Sequence, residues 1–266
     1  MDLSLAGWSL QRLFRRSENP LKLTDFARFS KEQFGITALE LNNIFFESTD
    51  PKYLSELRAS AEDAGCRLLN IAVDEQGDLS NTNHLHREIA ILNYARWIPV
   101  AAEIGCSAIR ANSGGKDLSN PQASLQACIE SFRRLCDIAR PLGVAVLMEN
   151  HWGLSSDPEA MVRLMEAVES SHGKGAIGTV PDFGNWPKEI DRIAALKRIL
   201  PYAQAVHAKV MDIDESLAHP AFDLEACVRA TRESGYKGYL GIEYEGSGDC
   251  VEGVKRASRK LRGLIA

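Results

Sequence analysis

The sequence predicts an α/β protein, a single (β/α)₈ TIM barrel over residues 1–266, and three observations predict it. Short apolar runs alternate with amphipathic helical patterns along the whole chain. Most of the helical patterns end at a glycine, and the next apolar run follows directly. Eight such units in 266 residues leave roughly 33 residues for each, enough for one strand, one helix and their loops.

The apolar runs read as strands at 3–10, 37–42, 66–73, 107–112, 144–149, 176–180, 205–210 and 239–244. Between them lie TDFARFSKEQF, PKYLSELRASAEDA, QASLQACIESFRRLCDIA and PEAMVRLMEAVES, whose apolar residues fall three and four apart, so each buries one helical face. Gly35, Gly65, Gly105, Gly143, Gly173 with Gly175, and Gly235 stand where a helix C-terminus takes a left-handed residue. Asp50-Pro51, Asn120-Pro121 and Asp157-Pro158 each put a capping side chain before a proline at the first helical position. Pro99 should kink or divide the helix of 84–104, and a last helix covers 251–264. A doubly wound open sheet is the structural rival. No G-x-G-x-x-G turn follows the first strand, and eight units exceed what such a sheet needs.

Apolar residues make up 45% of the chain, enough for a sizeable core. The net charge of −5, with Lys and Arg scattered, offers no footprint for nucleic acid or an anionic membrane. That leaves a small molecule as the expected partner. Cys66, Cys106, Cys128, Cys136, Cys227 and Cys250 form no C-x-x-C pair and no zinc spacing, so buried thiols are expected. The start, MDLSLAGWSL, lacks a basic stretch ahead of a hydrophobic one, and no apolar run is long enough to span a bilayer. A reduced, cytoplasmic, soluble protein is the expectation.

In such a barrel the chemistry lies at the C-terminal ends of the strands, where the loops converge. Strand five ends VLMENH, with Glu149, Asn150 and His151. The sixth leads into PDFGNW, with Asp182 and Asn185. Strand seven reads AVHAKVMD, and the two-residue period puts His207 and Lys209 on one face. The eighth reads GIEYEG, with Glu243 and Glu245 on one face. Glu149, Asp182, His207 and Glu243 therefore recur about once per βα unit and point to one opening. Three carboxylates and an imidazole suit one divalent ion, Mn²⁺, Mg²⁺, Co²⁺ or Zn²⁺, with positions left for water or a chelating substrate. Without a cation the carboxylates would repel one another.

The stretches MENHWG, PDFGNW, VHAKVMD and GIEYEG, with the barrel-wide layout, resemble the xylose-isomerase-like sugar phosphate isomerases and epimerases. The resemblance covers nearly the whole chain. It implies that Glu149, Asp182, His207 and Glu243 bind one divalent metal and that two adjacent oxygens of a keto- or hydroxy-sugar chelate it. An enediolate then forms as a carbon acid loses its proton. It also implies Glu149 and Glu243, on opposite sides of the substrate, as catalytic acid and base. Where tagatose- and psicose-type 3-epimerases carry a histidine three residues after the strand-six Asp, this chain has Asn185.

Other polar residues at strand ends extend the site. Lys209 is expected to be catalytic, a cation for an enolate, carboxylate or phosphate oxygen. Arg110 and Asn112 share a face of strand four, and an arginine in a strand needs an anion or acceptor. They are expected to contact substrate, with Arg110 alternatively paired to an acid such as Glu149. His151 and Asn185 are further substrate-binding expectations, and Glu40 and Asn42 follow the same logic on strand two. Gly246–Asp249 (GSGD) could bind phosphate through its amides, although Asp249 would oppose an anion. NSGGK at 112–116 reads as a flexible loop, and His84 and His86 as part of loop three. Trp8, Trp152 and Trp186 are either a sugar platform or packing.

The leading expectation is an enzyme, an isomerase or epimerase of a sugar, keto-sugar or sugar phosphate. Two alternatives remain: a metal-dependent lyase that dehydrates a keto-polyol, and a sugar-binding accessory subunit without turnover. A multi-zinc endonuclease needs more histidines and a more basic surface than this chain has. Homo-oligomers are common among such barrels, and the sequence leaves that point open.

Overall fold

The structure is a computed structural model that describes residues 1–115 and 118–266. Lys116, which closes the NSGGK stretch, lies outside the described residues. The strands are β1 (Asp2–Ala6), β2 (Ala38–Asn42), β3 (Arg67–Val73), β4 (Ala108–Ala111), β5 (Ala145–Glu149), β6 (Ile177–Val180), β7 (Val206–Val210) and β8 (Tyr239–Tyr244). The helices are α1 (Gln11–Phe14), α2 (Leu23–Phe34), α3 (Pro51–Asp63), α4 (His84–Ala95), α5 (Trp97–Glu103), α6 (Pro121–Ala139), α7 (Pro158–His172), α8 (Arg192–Ile199), α9 (Leu224–Glu233) and α10 (Cys250–Ile265).

Every ladder is parallel, in the order β6-β5-β4-β3-β2-β1-β8-β7. The two ends of this sheet meet at β6 and β7. Isolated bridges join Thr179 to Ala203 and Asp182 to His207 there. The His207 amide donates to the Pro181 carbonyl at 2.9 Å, and the Phe183 amide donates to the His207 carbonyl at 3.1 Å. The barrel is therefore closed by a short seam, and Asp182 sits in it.

Alternate strand residues such as Leu3, Leu5, Leu39, Leu41, Ile71 and Ile109 face outward and build the main core against the helices. Inside the barrel, Ala108, Leu147 and Val180 form a small separate apolar cluster. They occupy the same strand faces as the polar residues one step nearer the mouth. The expected end signals form largely as read: Gly35 and Gly143 adopt left-handed conformations past their helices, and Asn120 and Asp157 accept hydrogen bonds from first-turn amides. Asp50 does not cap α3; its carboxylate accepts from the Ser48 hydroxyl at 2.8 Å.

Two further differences have local causes. The first strand stops at Ala6, and Gly7–Leu10 is a 3₁₀ turn. Ser9 turns inward there, donating to the Ile242 carbonyl at 2.9 Å and accepting from the Tyr244 amide at 2.8 Å. Apolar composition alone could not separate that turn from a strand. Pro99 does divide its helix, between α4 and α5, and stands in the first turn of α5, where a missing N–H breaks no bond. His84 and His86 lie on the exposed first turn of α4 rather than in loop three.

Candidate active site

The strand ends carry a buried ring of charge. Glu149 closes β5, Asp182 lies in the seam after β6, and His207 and Glu243 sit within β7 and β8. One ligand atom from each of these four residues lies within 4.8 Å of the others. All four are buried.

Each is held by neighbours that its own strand does not supply. His207 is clamped between two carboxylates, with Nδ1 3.0 Å from Glu149 Oε1 and Nε2 2.9 Å from Glu40 Oε2. Glu40 in turn accepts from the Ser4 hydroxyl at 2.6 Å and the Asn70 amide at 2.9 Å. A register shift between β2 and β3 falls at Leu39/Glu40, the kind of irregularity that re-aims a side chain beside a site. Asn150 fixes the backbone of Asp182 from both sides. Its side-chain oxygen accepts from the Asp182 amide at 2.7 Å, and its side-chain nitrogen donates to the Asp182 carbonyl at 3.0 Å. Asp182 Oδ1 accepts from the amides of Gly184 and Asn185 at 2.7 and 2.8 Å.

The second oxygens are different. Asp182 Oδ2 is buried without a hydrogen bond, 4.0 Å from the Lys209 ammonium, and Glu243 Oε2 is ion-paired to that ammonium at 2.9 Å. Carboxylates crowd this region, with Glu40, Glu149, Asp182, Glu243 and Glu245 around the cations Arg110, His207 and Lys209. Burial pushes the Asp182 carboxyl well above its ordinary range; Lys209 pulls it back, and Glu243 and Glu149 push it further up. Burial also opposes the charge on Glu149, but Arg110 and His207 outweigh it and hold that carboxyl low. For Glu243, Lys209 and His207 overcome burial and bring it to about 2. Burial would lower the His207 imidazole and the Lys209 ammonium; neighbouring carboxylates instead raise both well above their ordinary values. Lys209 is thus a fixed cation rather than a proton acceptor.

These residues fit a divalent cation. Their donors are oxygen and imidazole nitrogen, the buried Asp182 Oδ2 lacks a hydrogen bond, and ligands about 2.0–2.2 Å from one ion span roughly 4 Å across it. The cluster could hold a metal, and among the described residues no helix is long and apolar enough to cross a membrane.

Above the ring opens a cleft of about 580 Å³ whose walls include Trp8, Asp74, Arg110, Asn112, His151 and Trp152, with Glu243 and Glu245 also exposed to it. Arg110 lines it with its donors already engaged. Its guanidinium donates to Asp74 at 2.6 Å and Asn112 at 2.9 Å, and Nε stands 3.1 Å from Glu149 Oε2. The acid pairing foreseen as the alternative is present. Asn112 also donates to Asp74, at 2.9 Å. His151 reaches the cleft with its Nδ1 buried and unbonded. Asn185 points instead to Glu149, its amide nitrogen 3.5 Å from Oε1. Lys209 bridges Glu243 and Glu245 at 2.9 and 3.0 Å.

Over residues 31–264 the sequence matches the family of xylose isomerase-like TIM barrels. The chain belongs to that family. This xylose isomerase-like barrel superposes on 3-keto-D-glucoside 4-epimerase from E. coli over 100% of its own length and 99% of that chain, at TM-score 0.76 and 15% identity. It superposes on the IOLI protein with a bound zinc atom over 100% and 98%, at TM-score 0.78 and 15% identity. Likeness at such identity establishes the fold. A 74-residue stretch is 48% identical to the C-glycoside deglycosidase alpha subunit of Arthrobacter globiformis, covering 25% of this chain and 21% of that protein.

Several features of the barrel mouth were not foreseen. Asp74 follows β3 directly, and the rule that singled out polar residues after strands four to eight would have found it. Glu40 was expected to face substrate; it lies beneath His207, away from the cleft walls. Trp8 and Trp152 line the cleft, whereas Trp186 is packed away in the core. The GSGD loop is no phosphate cradle. Arg12 donates to the Gly246, Ser247 and Gly248 carbonyls, the Ser247 amide donates to Asp212 at 2.6 Å, and Asp249 caps α10.

Proposed function

We propose that the chain is a divalent-metal-dependent isomerase or epimerase of a sugar or keto-sugar, one barrel domain over 1–266. The observation that carries this reading is the buried cluster of Glu149, Asp182, His207 and Glu243, with a hydrogen-bond-free oxygen on Asp182, beneath an open cleft. Those four residues are the proposed ligands, with His207 using Nδ1 while Glu40 holds Nε2. A bound Mn²⁺, Mg²⁺, Co²⁺ or Zn²⁺ would supply a Lewis acid for two adjacent substrate oxygens.

Glu149 and Glu243 then exchange the proton. One carboxylate takes a proton from the carbon beside the carbonyl; the C–H electrons form the enediol double bond, and the carbonyl oxygen takes the charge. Return of a proton to the opposite face of that carbon gives the epimer, and return to the neighbouring carbon gives the isomer. Arg110 keeps Glu149 ionised and oriented. Lys209 offers its fixed positive charge to the developing enediolate. Asn112 and His151, with Arg110, border the sugar hydroxyls, and Asn185, directed at Glu149, reaches the substrate beside that carboxylate.

A second reading shares the first step. The identity with a deglycosidase subunit over 74 residues favours elimination, in which the enediolate expels a β-substituent and the sugar gains a double bond. Incubation of the metal-loaded protein with ketoses and keto-sugars in deuterated water tests both. Deuterium at a substrate carbon, lost in Glu149→Gln and Glu243→Gln, supports the proton transfer, and product mass separates epimer from eliminated sugar. Protein of full metal content that exchanges no proton, or exchanges it equally well in both variants, rejects the reading.

A further inference from the structure

The cleft above Glu243 has a neighbour with which it shares a wall residue. Past Trp8 and Glu75 a second hollow of about 570 Å³ opens on the same end of the barrel. It is built from the loops after β1 and β2, with Phe14, Leu21, Ile44, Phe45 and Phe46 among its walls. Glu75 lines both hollows. The aromatic wall is continuous as well. Trp8 of the first cleft stacks on Phe45 of the second with ring centroids 6.3 Å apart, and Phe45 stacks on Phe14 at 4.4 Å.

Glu75 is not a passive divider. Its backbone is left-handed, with φ of 61°, a conformation that a side-chain-bearing residue adopts mainly where surrounding contacts impose it, often at ligand clamps. Those contacts are present on either side. Asn43 exchanges two hydrogen bonds with the Asp74 backbone, at 2.8 and 3.0 Å, and Gln76 is held by Arg96 at 2.8 Å and Asn93 at 3.3 Å. The loop is pinned so that the exposed Glu75 carboxylate stands at the junction, where it can accept from a hydroxyl.

Charge narrows what enters. The first cleft presents Asp74, Glu75, Glu243 and Glu245. Among its described lining residues the cation is Arg110, committed to Asp74, Asn112 and Glu149. A phosphate held away from the metal cluster would meet these carboxylates, and among the described lining residues the arginine is already paired. The second hollow balances Arg15 and Lys22 against Glu47 and Glu75, with Lys22 3.9 Å from Glu47 and Arg15 over the Trp8 and Phe45 rings at 5.0 and 5.8 Å. A lone monosaccharide over Glu243 would leave the adjoining hollow empty, and concave sites lined by apolar and aromatic side chains are the kind that ring-bearing ligands fill.

Resting on the sugar-isomerase reading above, we propose that the substrate is an unphosphorylated glycoside whose ring carries a keto group away from the anomeric carbon, so that a carbonyl remains to accept the electrons of the broken C–H bond. Its sugar ring lies over Glu149 and Glu243, and its uncharged aromatic aglycone lies past Glu75 against Ile44, Phe45 and Phe46.

Calorimetric titration of the metal-loaded protein with the methyl and the 4-nitrophenyl glycoside of one hexose oxidised to a ketone at a ring carbon, and with the corresponding free keto-hexose and its 6-phosphate, tests this. The aryl glycoside should bind about tenfold more tightly than the methyl glycoside, the scale of a ring contact. The 6-phosphate should bind more weakly than the free sugar. The readout is the ratio of the two glycoside affinities. That ratio should fall towards one in Phe46→Ala and in Ile44→Ala, the second being a partly exposed residue chosen in case loss of Phe46 unfolds the loop. Equal affinities in the wild type, a ratio unchanged in both variants, or tighter binding of the phosphate overturns the proposal. If the free keto-hexose still exchanges deuterium in those cases, the isomerase reading stands and this one alone fails; if no sugar or glycoside binds, both fall.

Discussion

Glu40 Oε2 lies 2.9 Å from His207 Nε2, on the side of the imidazole away from Glu149. A carboxylate in that place fixes ring orientation and leaves Nδ1 to face the cluster, the arrangement that strengthens an imidazole as a metal ligand. Glu40→Ala should therefore lower divalent-metal affinity by about 10–100-fold, measured by competition with a chromogenic chelator. Gly241→Ala should act in the same direction, because a Cβ there would lie 2.3 Å from Glu40 Oε1 and 3.1 Å from His207 Cδ2. Unchanged affinity in both variants would deny Glu40 its part.

The same pair sets a pH dependence. Burial opposes the His207 proton, but Glu40 and Glu149 hold it well above the ordinary 6.5, and burial keeps a proton on Asp182 well above 3.8. Both groups must give up protons before they can serve as ligands. Metal affinity should rise with pH across the neutral range and fall as pH drops. Calorimetry in buffers of different ionisation enthalpy should show net proton release; a pH-independent affinity would contradict the assignment.

Asp182 should also destabilise the metal-free fold. Its carboxyl is raised in the folded protein, so folding loses stability as pH rises from about 3.8, the unfolded value, towards the folded value. Asp182→Asn keeps an acceptor for the Gly184 and Asn185 amides and removes the charge. The metal-free variant should melt a few degrees higher at neutral pH, at about 2–4 °C per kcal/mol, and gain nothing from added metal. A lower Tm for the variant would count against this account.

Asn150 tests the seam. Asn150→Ala leaves the buried amide and carbonyl of Asp182 without the partners seen at 2.7 and 3.0 Å. The expected loss is about 2–4 kcal/mol for two unpaired buried groups, read from urea unfolding, together with weaker metal binding. A loss below about 0.5 kcal/mol, the ordinary scale of a surface change, would mean the seam holds by other contacts.

Arg110 joins the buried Glu149 to Asp74, which is partly exposed at the cleft. Arg110→Ala strands both carboxylates and should cost about 3–5 kcal/mol. Arg110→Lys should recover part of the stability but little proton exchange, because one ammonium cannot reproduce the guanidinium's contacts with Asp74, Asn112 and Glu149. Equal proton exchange by the lysine variant and the wild type would remove Arg110 from the positioning of Glu149.

The strands were legible because each is a short apolar run bounded by a glycine or a capped proline, signals that act over a few residues. The polar residues that end β5 to β8 were legible for the same reason. The roles of Asp74, Asn150 and Glu40 were not, although a strand-end rule reaches all three positions. Each role comes from a partner on another strand: Arg110 for Asp74, the Asp182 backbone for Asn150, His207 for Glu40. Gly7–Leu10 shows the opposite failure, since an apolar run hid a turn whose cause is the contact of Ser9 with β8.

By itself, then, the sequence determined the alternation of strands and helices, their ends, and which side chains stand at the strand tips, because periodicity and capping are local. The tertiary structure decided that β6 meets β7 through Asp182, that Glu40 lies under His207, and that Arg110 turns to Asp74 and Glu149. It also decided that two hollows share Glu75. Those relationships depend on strand register and closure across residues far apart in the chain, which no local pattern encodes.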